Sequence, residues 1–185
     1  MSIFNPIHKY IVAALAGTVM ITLPIMAQEL TIDDLFVELQ AVPADQAEQT
    51  ERITKQISAL WSSSGSASMD LLLKRGTDAL KAKDTQAAID HLSALVDHAP
   101  NFAQAYHARA QAYFDAGYIG PALADLRTAL ALNPRHFRAM TGLAYILEET
   151  GESQKALETY RKVLELNPND PVATKAAKRL EGVAL

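Results

Sequence analysis

From Met69 onward the chain repeats itself every 34 residues, and a fixed period of that length is the mark of a stacked array of helical hairpins. Gly76, Ala110 and Ala144 share one register, and Ala88, Ala122 and Ala156 share another. Small residues there let two antiparallel helices approach closely, where a larger side chain would overpack by about 1–3 kcal/mol. Leu92, Leu126 and Tyr160 follow in phase, as do Leu72, Tyr106 and Met140. These are large apolar side chains that fill space between helices, and truncating such residues typically costs about 2–5 kcal/mol. The register Leu95, Ala129 and Val163 completes the second helix, and Pro100, Pro134 and Pro168 mark the turns into the next unit because proline cannot continue a helix interior. Gly117 and Gly151 stand at the turn inside the second and third hairpins, where a positive φ is cheap for glycine.

These residues resemble the tetratricopeptide repeat, whose pattern has a large residue at position 4, small residues at 8 and 20, a large or aromatic residue at 24 and proline at 32. The resemblance covers residues 69–102, 103–136 and 137–170. Unit one departs most: Arg75 stands for the usual leucine at position 7, Ala79 for the aromatic at 11, Lys83 for the turn glycine, and Leu95 enlarges position 27. Arg109 departs at position 7 of unit two. Residues 171–185 continue the register for less than one unit, with Ala173, Ala177 and Leu180 apolar and Lys175, Lys178 and Arg179 polar, the pattern of a solvating capping helix. The expected fold class is therefore all-α, an α-solenoid of three hairpins with a C-terminal cap over residues 69–185.

The resemblance implies binding of a peptide or protein segment on the surface lined by the first helix of each hairpin. Its usual lining positions fall on Asp70, Leu73, Thr77 and Leu80 in unit one, on Gln104, His107, Gln111 and Phe114 in unit two, and on Arg138, Thr141, Tyr145 and Glu148 in unit three. One guanidinium, one imidazole, amides and two aromatics suit backbone hydrogen bonding and stacking. The carboxylate clamp of some family members is not matched: its positions hold Leu73, Thr77, Ala108, Arg138 and Gly142, so only the charge of Arg138 survives.

No chemistry of another class is expected. The chain has no cysteine, which removes disulfides, thiolate catalysis and Cys-ligated metals. His91 and His98 lie seven residues apart on one helix, about 10 Å along its axis, too far to share an ion unaided. There is no nucleophile motif, phosphate-cradling loop or paired catalytic carboxylate, so neither catalytic residues nor a cofactor are expected. A net charge of −4 without a basic run gives phosphate backbones nothing to hold, and nucleic acid is not an expected partner.

Ahead of the array, residues 1–27 read as an export signal: His8 and Lys9, an uncharged apolar run from Tyr10 to Met26, and Ala27 before the polar Gln28 and Glu29. The competing reading is a retained membrane anchor, since the uncharged stretch approaches spanning length. Pro24 and the small residues Ala13, Ala14, Ala16 and Gly17 favour cleavage, and the expected location is periplasmic or secreted. Residues 28–61 carry two short amphipathic segments that could form a hairpin. One starts at a Thr31/Asp34 cap with Leu35, Phe36 and Leu39 apolar; the other runs from about Ala44 to Trp61 with Ile53 and Ile57 apolar. Residues 62–68, rich in serine around Gly65, read as a flexible linker. Two functions remain: a scaffold gripping a partner segment, or a spacer that self-associates through the Leu35/Phe36/Leu39 and Ile53/Ile57/Trp61 faces.

Overall fold

The computed structural model describes residues 31–183, so the expected export signal lies outside the described residues. Within them the chain forms nine helices and no strand: α1 (Ile32–Ala41), α2 (Ala47–Trp61), α3 (Ala67–Lys81), α4 (Thr85–His98), α5 (Ala103–Asp115), α6 (Ile119–Leu132), α7 (Phe137–Glu149), α8 (Ser153–Leu166) and α9 (Pro171–Val183). No helix among them is long and apolar enough to cross a membrane.

The periodic small residues do what their spacing requires. α3 pairs with α4, α5 with α6 and α7 with α8, while α4, α6 and α8 each pack on the helix that opens the next unit. Ala88, Ala110, Ala122, Ala144 and Ala156 are all buried, and so are Leu92, Leu126 and Tyr160 opposite them. At Gly76 the approach is tightest: a methyl group there would sit 2.4 Å from Leu92 Cγ. Gly117 and Gly151 take φ of 80° and 83° at their turns, and in unit one Lys83 adopts the same left-handed conformation with φ 59°. The missing turn glycine therefore changes the strain of that turn and not its path.

α9 caps the array as expected. Ala173, Ala176, Ala177 and Leu180 are buried against α8, and Lys175, Lys178 and Arg179 face outward.

The N-terminal region departs from expectation. Thr31 and Asp34 form the expected capping box, with Thr31 N donating to Asp34 Oδ2 at 3.0 Å and Asp34 N to Thr31 Oγ1 at 3.2 Å. α1 and α2 do pair. They do not form a separate element, however: Leu35, Phe36, Leu39, Ile53 and Ile57 share one core with Phe137, Leu157, Tyr160 and Leu180 of the last unit and its cap. Polar contacts lock this docking. Arg135 Nη2 pairs with Asp33 Oδ1 at 2.6 Å while its guanidinium lies over the Phe36 ring. Gln40 Nε2 donates to the Glu165 carbonyl at 3.1 Å, and Asn169 Nδ2 to the Val42 carbonyl at 2.8 Å. Trp61 stacks on His136 with centroids 4.3 Å apart and meets Phe137 at 5.0 Å.

Self-association through those apolar faces is thereby corrected. They cannot serve another copy while α7, α8 and α9 cover them, because undocking would expose Leu35, Phe36, Leu39, Ile53 and Ile57, each at most 4 % exposed, together with the half-buried Trp61. The serine-rich segment is likewise structured: Asp70 Oδ1 accepts from Ser64 N at 2.7 Å and from Ser64 Oγ at 2.6 Å, and α3 starts at Ala67, inside the stretch expected as linker.

Candidate functional site

The first helices of units two and three present half of the expected lining residues to one cavity. His107, Gln111 and Phe114 on α5 face Arg138, Thr141 and Tyr145 on α7 across a space of about 410 Å³. Two small residues create it. Ala110 and Gly142 leave a gap between α5 and α7, through which Leu126 of α6 forms the base; Val172 of α9 adds an apolar side. Phe114 and Tyr145 meet edge to face with centroids 5.5 Å apart, and Tyr145 and Val172 are exposed at 45 % and 54 %. Thr141 Oγ1 donates to the Phe137 carbonyl at 3.0 Å, which ties its hydroxyl to its own helix.

Electrostatically the cavity has one cation. Arg138 is exposed and forms no salt bridge among the described residues. The imidazole beside it carries no charge: burial, with help from His136 and Arg138, pushes His107 down to about 3. Its Nδ1 is buried without a hydrogen-bond partner. His136 behaves alike, pushed down to about 4 chiefly by burial. Its Nδ1 accepts from Ala139 N at 3.2 Å, capping α7, which leaves Nε2 as the protonated nitrogen, 2.9 Å from Gln104 Oε1. His136 is thus sandwiched between Trp61 and His107, whose ring centroid is 4.7 Å away.

The remaining expected residues are placed elsewhere. Leu73 is buried in the core of the first hairpin and forms part of the floor of a separate depression along α3, away from the cavity between α5 and α7. Leu80 packs partly against the same core. Asp70 is held by Ser64, which keeps its carboxyl below the usual carboxylate range. Together with Thr77 and Gln104, Asp70 borders the same depression. Gln104 is committed to His136. Glu148 is not a free groove carboxylate: it pairs with Arg179 of α9, and that hydrogen bond lowers its pKa. The expected positions Asp70, Leu73 and Thr77 of unit one line this second depression and not the cavity between α5 and α7, and Glu148 is taken up by ion pairing.

Two features have no counterpart in the sequence reading. One is the Trp61/His136/His107 column, formed by residues from three distant segments. The other is the pair that accounts for Arg109, whose Nε and Nη2 donate to Asp125 Oδ2 and Oδ1 at 2.7 and 2.8 Å. The two side chains are only 15 % and 8 % exposed, and the guanidinium also lies over Tyr106 and Tyr113. Positions 7 and 23 of unit two face each other across the hairpin, so an arginine and an aspartate 16 residues apart were the available signal. Among the described residues no three His, Asp or Glu side chains converge as an ion site.

Comparison with known proteins gives a consistent picture. The tetratricopeptide repeat profile matches residues 73–119 and 107–171. A TPR repeat-containing protein of Rhizobium etli is 30% identical over 149 residues, covering 80% of this chain and 72% of the relative. The small glutamine-rich tetratricopeptide repeat-containing protein 2 of Saccharomyces cerevisiae is 31% identical over 108 residues, 58% of this chain and only 31% of that protein. Among solved structures, the first TPR domain of Spaghetti bound to the HSP90 peptide SRMEEVD aligns with TM-score 0.60 and 26% identity, covering 63% of this chain and 92% of that one. MamA aligns with TM-score 0.60 and 24% identity over 74% of this chain and 84% of its own, a likeness of fold.

Proposed function

The chain belongs to the tetratricopeptide repeat family, and from that premise we propose that it is a non-enzymatic scaffold that binds a protein or peptide segment between α5 and α7. The observation that carries this is the cavity itself. A 410 Å³ space with exposed aromatic and aliphatic rims, one unpaired cation and an unpartnered buried imidazole nitrogen is a surface built to be covered. The peptide held by the Spaghetti domain supports the same reading by similarity. Export follows from the pattern of residues 1–27, and assistance in assembling an envelope or secreted complex is the role that fits an exported scaffold.

The test is partner recovery from envelope extract with the full chain and an Arg138→Glu/Tyr145→Ala variant. Both side chains are exposed, so the variant keeps the fold. Loss of a partner that wild type retains supports groove binding; identical recovery from both refutes it.

A further inference from the structure

We propose that the N-terminal hairpin α1–α2 is an acid-released clasp: protonation of His136 displaces Trp61, and the hairpin leaves the last unit while the three repeat hairpins stay stacked. The chemistry of the ring carries this. His136 Nδ1 accepts from Ala139 N and so caps α7, while Nε2 donates to Gln104 Oε1. A proton on Nδ1 would set two donors against each other. It would also put a positive charge at a helix N-terminus, where the helix dipole disfavours one. The cap works only with a neutral ring.

Among the described residues no neighbouring element offers an anion to offset that charge. α5 brings His107 and Gln104, and α7 brings Arg138, a second cation. Asp33 of α1 is paired with Arg135, and Asp70 of α3 is held by Ser64. Beside Arg138, Glu51 of α2 pairs with Lys55, and Asp170 caps α9. Burial acts in the same direction and holds His136 down at about 4. Lifting Trp61 hydrates the ring. Docking is therefore at full strength above the ordinary histidine value of about 6.5 and weakens as pH falls towards 4, by up to about tenfold in the docked-to-released ratio per pH unit.

The cover over that ring can come away without the array. Trp61 stacks on His136 from the end of α2, and α2 is joined to α3 through residues 62–66, with Gly65 at φ 81° in open space. The packing of α4 on α5 and of α6 on α7, which stacks the units, involves neither α1 nor α2. At neutral pH the core shared with Phe137 and Leu157 keeps the hairpin docked. Segments held by few such contacts open before the whole molecule does.

Trp61 is the only tryptophan of the chain, so its emission reports the clasp alone. On the full chain, emission maximum, acrylamide quenching and far-ultraviolet circular dichroism are followed from about pH 7.5 down to about pH 3. Trp61 should become red-shifted and quenchable about one pH unit above the point at which most of the helix signal is lost. His136→Asn keeps an acceptor for Ala139 N but takes up no proton, and it should lower the Trp61 midpoint by about one pH unit. His98→Gln, at an exposed position on α4, should leave the midpoint in place. Should His136→Asn not fold, ring NMR of the wild type decides instead: His136 must titrate at the Trp61 midpoint. One common midpoint for Trp61 and the helix signal, an unmoved midpoint in His136→Asn, or a His136 ring titrating apart from Trp61 would overturn the proposal. So would Trp61 quenching without a gain in acrylamide access, which is an imidazolium formed with the clasp still closed.

Discussion

Substituting Gly76 by alanine separates two opposing effects that the structure allows to be weighed. Gly76 lies inside α3, where alanine is favoured over glycine by about 1 kcal/mol. The added methyl, however, would stand 2.4 Å from Leu92 Cγ and 2.6 Å from its Cδ2. Leu92 is fully buried, and the overlap involves its branching carbon rather than a free tip, so it cannot swing aside. Overpacking of this kind costs about 1–3 kcal/mol; at an overlap this deep the upper part of that range applies, and the net loss is about 1–2 kcal/mol. Leu92→Ala removes the obstacle at a cost of about 2–5 kcal/mol of its own. In that background Gly76→Ala should become stabilising by about 1 kcal/mol, so the two substitutions couple by about 2–3 kcal/mol. Urea unfolding of the four chains followed by circular dichroism measures the cycle. An equal effect of Gly76→Ala with and without Leu92 would refute the claim that the first hairpin depends on close approach at this register.

Other consequences are independent of that contact. Asp125→Ala leaves Arg109 buried without its carboxylate and should cost about 3 kcal/mol in denaturant unfolding, whereas Arg109→Leu/Asp125→Leu should recover most of the loss. His107 and His136 have folded pKa values of about 3 and about 4, below the unfolded value of about 6.5. The unfolded chain therefore takes up their protons first: their contribution is complete above pH 6.5 and is lost as pH falls towards 4, each with a slope of up to about 1.4 kcal/mol per pH unit. Melting temperature across that window should fall less steeply for His136→Gln, and an unchanged slope would contradict the burial of that ring. Lys83→Gly should stabilise the chain by about 1 kcal/mol in thermal unfolding by removing a side chain from a left-handed turn.

What could be read from the sequence was what repeats. The period located Ala110, Ala144 and their partners, because hairpin packing is local and every unit solves the same problem. His107, Gln111, Phe114, Arg138, Thr141 and Tyr145 came from the lining positions that the family resemblance implies, and the structure brings them to one cavity. The rest depended on contacts without periodicity. Trp61 meets His136 across 75 residues, so nothing near either one announces the other. The apolar faces of α1 and α2 were legible, but amphipathicity states that a face will be covered and not by what. Here the cover is the chain's own last unit, which turned an expected self-association surface into core. Glu148 misled for a related reason: register places a residue on a helix face, while the neighbouring Arg179 decides whether its carboxylate is free.

Groove binding is tested most directly by photocrosslinking. Benzoylphenylalanine placed at position 145, on the cavity rim, or at position 118, somewhat more exposed and away from the cavity, reports which surface a captured partner covers. An adduct from position 145 and none from position 118 is expected; equal adducts from both, or one from position 118 alone, would contradict it.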